Sequence, residues 1–248
     1  LKGRQQGFTS VITAYQLACS ITRRNFSGFT LADDGDNTET IFTDKAKFPY
    51  ENLPEPLKPT EKYNNRRELH FEKLNSKWRV ATAGKKDVGR SKTINFFHGS
   101  EAAFWDHGIQ SVMAALGQAL TKDSIKILES TANGYNEFKD FWDTNSTWQN
   151  LFYAWWRTVE YTLHFESDIA EQRFKRDVRE MGAKKDKDPQ YWIYQQCKWL
   201  LDFHKLTWGQ LYWYYNKWLD LKDLIMQEYP CSPDEAFLAS GRCVFDKE

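Results

Sequence analysis

The sequence predicts an α/β fold: a mostly parallel sheet flanked by helices, followed by a small helical lid-like subdomain. Three observations predict it. Apolar or β-branched runs end in small polar or acidic residues at "FSGFTLADD", "TINFFHGSE" and "SIKILESTANG", as strands do where they open onto turns. Stretches with helical periodicity separate these runs, and parallel strands need such crossovers. Beyond Asn145 the texture becomes helical, polar and aromatic. The expected division is 1–155 for a sheet domain entered without its first strand, and 156–248 for the helical subdomain and a closing segment.

The elements follow in order. "GRQQGFTS", Gly3 to Ser10, nearly matches G-x-x-x-x-G-K-[ST]. In that pattern glycines let the backbone wrap phosphates, lysine reaches the β- and γ-phosphates, and the hydroxyl binds Mg²⁺. Here Gly7 ends a shorter loop, Thr9 supplies the hydroxyl, and Phe8 stands where the lysine should. Taken alone, the match is a polar turn leading into a helix over Thr9–Arg24. A strand then stops at Asp33 and Asp34, which, with Asp36, lack calcium-loop spacing and fit capping of the next helix. That helix, "DNTETIFTDKAK", is expected to end before Pro49. "ELHFEKL" and "KWRVATAG" read as paired strands around Asn75 and Ser76. "TINFFHGSEAAFW" is a buried strand entering a polar turn, "GIQSVMAALGQAL" an amphipathic helix, and "SIKILESTANG" a short strand ending in small polar residues. "FESDIAEQRFKRDVREMG" and "LTWGQLYWYYNKWLDLKDLIMQEYP" supply the later helices.

Composition narrows the function. Lys+Arg and Asp+Glu balance at 34 each in 248 residues, so no global positive field announces nucleic acid, and any such contact must come from local patches. No run approaches a membrane span. Cys19, Cys197, Cys231 and Cys243 lie far apart, reading as isolated thiols of a reducing compartment. His98 and His107 have no partners at ligand spacing. Tryptophan is abundant, at 11, and five fall between Trp192 and Trp218. On helices such rings read as core and lid packing rather than base stacking.

Three segments carry chemistry. The first is the Gly3–Ser10 loop. The second is "FFHGSE": an ATPase needs a carboxylate at a strand's C-terminal end to act on the attacking water, and Glu101 stands there. Before it, where an aspartate usually supports the metal shell, is Ser100. A bland reading makes Ser100 a helix N-cap with Glu101 in the first turn. The third is "ESTANG", whose Ser130, Thr131 and Asn133 suit contact with a γ-phosphate or its water; its plain reading is a turn. Their common position at strand ends, where open α/β sheets bind ligands, raises the functional reading.

In this order the segments resemble the ATPase domain of the tailed-phage large terminase, the motor that packages DNA into proheads. "GRQQGFTS" looks like that family's variant phosphate loop (Walker A), "FFHGSEAAFW" its Walker B segment, "ESTANG" its coupling motif, and "QEYPCSPDEAFLASGRCVFD" the segment closing the ATPase region. The resemblance covers nearly the whole chain. It implies a P-loop NTPase of the ASCE/RecA-like kind, ATP and Mg²⁺ as cofactors, and nucleotide contacts from Lys2, Gly3, Arg4, Gln5, Gln6, Gly7, Phe8, Thr9, Ser10, Ser130, Thr131 and Asn133. It implies metal contacts from Thr9 and Ser100, and catalysis by Glu101. Arg4 is favoured as the replacement for the missing lysine, since a guanidinium binds phosphate bidentately; Lys2 is the alternative. Implied partners are double-stranded DNA, the portal protein of the prohead, the small terminase subunit and further copies in a homo-oligomeric ring, in the bacterial host cytoplasm and without a membrane. The family's nuclease, with clustered acidic metal ligands, is expected to be absent from this chain, Asp246 alone being no two-metal site. The rival class is a protein with the same fold that binds DNA or capsid components while its nucleotide site has decayed, a reading motivated by Phe8 and Ser100.

Arg90, in "DVGRSKT", stands where the family carries an arginine that reaches a neighbouring subunit's nucleotide; otherwise it belongs to a solvated basic turn. An arginine finger is worth orders of magnitude in rate. If Arg90 is one, mixing Arg90→Ala subunits with Glu101→Gln subunits restores hydrolysis that neither shows alone. Mixtures that assemble and bind ATP yet stay inactive would instead place Arg90 within its own subunit or in a structural role.

Overall fold

The computed structural model describes residues 1–84, 93–184 and 189–240, which divide into two compact units, Leu1–Leu151 and Phe152–Glu248. The first unit is built on a six-stranded mixed sheet of order β2-β3-β4-β1-β5-β6. Its strands are β1 (Ser27–Ala32), β2 (Glu61–Asn65), β3 (Glu68–Phe71), β4 (Ser76–Thr82), β5 (Ile94–Ser100) and β6 (Leu120–Glu129). β4, β1, β5 and β6 run parallel; β2 and β3 add an antiparallel edge. The α/β expectation holds, with a mixed sheet.

Every residue of β1 is buried, the mark of a central strand covered on both faces. Period-two alternation sorts the side chains. On one face α1 (Phe8–Thr22) packs Leu17 with Trp78 and Val80, joined by Ile41 and Phe42 of α2 (Gly35–Phe42). Phe96, with Ile12 and Cys19 of α1, continues that face towards Ile125 and Ile127. On the other face Phe29 lies against Phe97, which meets Trp105.

Among the buried polar side chains of the first of these layers, one amide is fully satisfied. Gln16 of α1 accepts from Trp78 Nε1 and Thr30 Oγ1, both at 2.7 Å. Its Nε2 donates to the carbonyls of Phe29 and Phe96. One amide therefore ties α1 to β1, β4 and β5. Gly28 makes room for it: a Cβ there would lie 2.9 Å from Gln16 Cγ.

Several elements differ from expectation in extent. Asp34 does cap α2, accepting from Asn37 N at 2.7 Å. The helix then continues as a π-helical turn, Thr43–Lys47, into α3 (Phe48–Glu51), where Pro49 sits in the first turn. Proline has no N–H to give, and it follows directly on the π-helical turn, whose last bond runs from Phe48 N–H to the Thr43 carbonyl and breaks the regular i to i−4 ladder. α4 (Gly108–Leu116) stops sooner than its apolar pattern implies, and β6 starts at Leu120 rather than at Ser124. α5 (Glu137–Thr144) closes the unit.

The second unit is helical: α6 (Asp168–Glu180), α7 (Pro189–His204), α8 (Trp208–Leu221), α9 (Ile225–Glu228) and α10 (Pro233–Ser240). Its core consumes the aromatic cluster. Trp155 stacks on Tyr214 at 4.8 Å and on Trp213 at 5.2 Å, and Trp192, Trp199, Trp208 and Trp218 pack around them, partly buried. Core packing was the expected reading. Cys197 and Cys231 are buried there, and burial pushes both thiols up, Cys231 to about 12. No helix among the described residues is long and apolar enough to cross a membrane.

The Gln16 arrangement predicts opposite signs at two positions one turn apart. Gln16→Leu leaves the Trp78 indole N–H and the Thr30 hydroxyl buried without partners, lowering stability by about 2–5 kcal/mol. Thr13 is buried and its hydroxyl already has no partner, so Thr13→Val raises stability by about 1 kcal/mol. Urea unfolding of the two variants measures both.

Candidate nucleotide site

The loop reaches helix α1 through backbone that few residues adopt. Gln5 has φ +56° and Gly7, the N-cap of α1, φ +73°. Gly7 tolerates this freely; Gln5 does not, and such strain persists only where the surroundings impose it. Gly3 N–H donates to Gln6 Oε1 at 2.9 Å, folding the loop on itself. Phe8 turns away from the loop and packs with Ile12, Cys19, Phe26 and Phe96. The ring is half-buried and serves the core. Ser10 accepts from Lys45 Nζ at 2.9 Å.

The loop faces the C-terminal ends of two parallel strands. Ser100 ends β5 and Glu129 ends β6, opposite one another in the register. Alternation puts His98 and Ser100 on the α1 face with Phe96, and Glu129 there with Ile125 and Ile127. Glu101, next along, takes φ +49°, which swings it out of the strand into a 3₁₀ turn, Ala102–Phe104. Ser100 is thus a strand residue and caps no helix.

Four side chains converge on Glu129, which is 4% exposed. Thr9 Oγ1 and Ser100 Oγ each donate to its Oε1 at 2.8 Å. His98 Nε2 lies 3.4 Å from the same oxygen, and Lys2 Nζ lies 3.2 Å from Oε2 in an ion pair. Burial alone pushes this carboxyl up. The contacts with His98, Lys2 and Thr9 outweigh burial and bring it below the usual carboxylate range.

Lys2 also donates to Glu101 Oε1 at 2.8 Å. Burial lowers the Lys2 ammonium and the two glutamates raise it, with a net rise. The other oxygen of Glu101 accepts from Thr131 N at 3.2 Å and Ser130 Oγ at 3.3 Å. Lys2 N–H donates to the Ser130 carbonyl, setting the backbone that enters the loop against the end of β6. Asn133 is committed elsewhere, its amide donating to the Ala103 carbonyl.

The sequence-predicted residues do not all share one place. Lys2, Thr9, Ser100, Glu101, Ser130 and Thr131 come together. Arg4 and Gln5 are exposed on the loop, and Asn133 braces the turn after Glu101. Arg90 lies outside the described residues. Two residues central to the cluster were not singled out for it. Glu129 was legible as the last inward position of the Ile125/Ile127 alternation, and His98 as an inward neighbour of Ser100. Chemically, the cluster offers the Lys2 ammonium, the Glu101 and Glu129 carboxylates, the His98 imidazole and the hydroxyls of Thr9, Ser100 and Ser130 beside the N-terminus of a 15-residue helix, where anions are favoured. Among the described residues no three His, Cys, Asp or Glu side chains gather as a metal cluster.

No family model matches the chain, and no curated protein matches it. Solved structures do. The ATPase domain of the large terminase of Thermus phage P74-26 superposes with a TM-score of 0.51 and 18% identity, over 96% of this chain and 86% of that one. The chain has the fold of a large-terminase ATPase domain. The HK97 bacteriophage large terminase is similar at a TM-score of 0.47 and 16% identity, over 84% of this chain and 44% of that one. The large terminase of a thermophilic bacteriophage, solved in complex with ADP, gives a TM-score of 0.46 and 14% identity, over 78% of this chain and 45% of that one.

Lys2 is what keeps two carboxylates compatible at this point of the fold. Lys2→Met removes the ammonium from the buried Glu129, leaving its charge to the Thr9 and Ser100 hydroxyls and His98, and lowers stability by about 3–5 kcal/mol. Adding Glu129→Gln removes that charge and recovers most of the loss. A double-mutant cycle by urea unfolding measures the coupling.

Proposed function

We propose that the chain is the ATP-hydrolysing motor domain of a phage large terminase, driving translocation of double-stranded DNA into a prohead. One observation carries the reading. The loop's Thr9 and Lys2 meet Ser100, Glu101 and the Ser130–Thr131 segment at the C-terminal ends of adjacent parallel strands. Fold supports it, and the motif order in the sequence supports the terminase assignment over other ATPases.

In this reading the phosphates of ATP lie against the loop amides and the α1 N-terminus. Lys2 is the loop's ammonium. It is drawn to phosphate oxygens as it is now drawn to the two carboxylates, so nucleotide entry exchanges one anionic partner for another. Glu101 orients the attacking water and accepts its proton. The Thr131 amide and Ser130 hydroxyl fix one of its oxygens, so the coupling segment sets the aim of the catalytic group. Mg²⁺ fits the oxygen-only donor set of the Thr9 and Ser100 hydroxyls, which suits a hard cation. Bound there, it neutralises charge on the β- and γ-phosphates. The portal protein, the small terminase subunit and further copies in a ring are the partners this role requires.

The rival reading, a decayed site on the same fold, rests on Phe8 and Ser100. A nucleotide-binding titration with a hydrolysis assay separates the two. Glu101→Gln abolishes turnover, by about 10²-fold or more, and leaves ATP binding nearly intact. Thr9→Val weakens binding of the magnesium–nucleotide. An intact chain that binds no ATP sinks the motor assignment; equal turnover by Glu101→Gln sinks the role of Glu101.

A further inference from the structure

We propose that Glu129 is the carboxylate of the divalent-cation site, supplied from β6 because the end of β5 offers only the neutral hydroxyl of Ser100. The inference rests on the nucleotide-hydrolysing reading above.

The register provides the opportunity. Ser100 and Glu129 are opposite residues on neighbouring parallel strands, and both face α1. A carboxylate missing from one strand end has its nearest replacement at the facing position of the next strand, and the longer glutamate side chain can span the gap between strands. The contacts point the same way. The hydroxyls of Thr9 and Ser100, the two groups fitted to hold the cation, both end on Glu129 Oε1. A carboxylate that collects hydroxyl donors here can equally collect a cation or the waters around it. Its second oxygen is buried and faces the Lys2 ammonium as an ion pair at 3.2 Å. A carboxylate oxygen can serve more than one partner, so a cation or its water can share this one.

Stability does not account for this arrangement. A buried ion pair is often matched or bettered by apolar residues of the same volume. At this point Ile125 and Ile127 show that the α1 face accepts such residues. A glutamate one step further along the same alternation adds charge where the fold alone needs none. A hard dication on a triphosphate does need it, because hydroxyls without a carboxylate give a weak site.

The test is Mn²⁺ binding, read by electron paramagnetic resonance in the presence of a non-hydrolysable ATP analogue, with circular dichroism confirming the fold. Glu129→Gln should weaken Mn²⁺ by on the order of 10–100-fold, while analogue binding in EDTA persists. Moving the charge back to β5, in Ser100→Asp/Glu129→Gln, should restore Mn²⁺ affinity. Ser100→Asn/Glu129→Gln, which has the same shape without the charge, should not. If Glu129→Gln fails to fold, Ser100→Asp in the Glu129 background keeps the test open: it should add little Mn²⁺ affinity if Glu129 already supplies the carboxylate, and a gain of about 10-fold or more overturns the assignment. Equal Mn²⁺ affinity in the Asp and Asn forms, or wild-type affinity in Glu129→Gln, overturns the assignment and leaves the ATPase reading standing. A wild-type chain that binds no analogue overturns the ATPase reading and this inference with it.

Discussion

A glutamate held in the interior at the end of a strand is the constraint around which the first unit is arranged. An ionised carboxyl cannot remain buried without compensation. Glu129 obtains that compensation from three separate pieces of chain: Lys2 and Thr9 on either side of the loop, and His98 and Ser100 on the neighbouring strand. The loop therefore cannot lie anywhere else. Its entry is pinned to β6 by a backbone bond and by the Lys2 ion pair, its exit by Thr9, and Gln5 takes a strained conformation between the two pins. Electrostatic satisfaction of one side chain thus becomes the geometry of the Gly3–Ser10 loop.

Gln16 plays the corresponding part deeper in the layer. Its amide uses both donors and its oxygen twice, and the partners come from β1, β4 and β5. A slip of one residue in β1 or β4 would turn Thr30 or Trp78 to the other face, and one in β5 would take the Phe96 carbonyl away from the amide. A satisfied polar group in an apolar layer specifies register in a way that Leu17 or Phe96 alone cannot. It holds β5 in the register that sets Ser100 opposite Glu129.

How much of this was legible depended on whether a signal was local. Strands β1 and β5 follow from short β-branched and aromatic runs. The β3–β4 pairing follows from Asn75, whose φ of +50° suits asparagine in a tight connection. β2 was missed because "EKYNN" carries no apolar alternation; it is an edge strand held by β3. α3 was missed because Pro49 reads as a helix stop, and only structure shows it in a first turn. Six of the residues named from the sequence lie together in the cluster, and the partners that join them were mostly not named. Glu101 was legible from its place after a strand. Glu129 was read as the first letter of a turn motif, though the alternation from Ile125 ends on it. His98 was set aside for want of metal-ligand spacing, a criterion blind to a hydrogen-bonded neighbour. Pairing across strands is a tertiary fact, and no spacing along the chain contains it.

The two departures in the sequence, Phe8 for a lysine and Ser100 for an aspartate, then have one explanation. Phe8 is at the first position of α1, with its ring in the cluster of Ile12, Cys19, Phe26 and Phe96, so that position is taken by packing. In the proposed reading the ammonium comes instead from Lys2, six residues earlier and on the other limb of the loop. Ser100 leaves the end of β5 neutral, and in the same reading the carboxylate comes from the facing end of β6. The charges that a phosphate site needs would then be present with their addresses in the chain moved, each to the nearest element that can reach the same point. Charge at a point in space is what phosphate and cation respond to. A motif records only the commonest way of delivering it there.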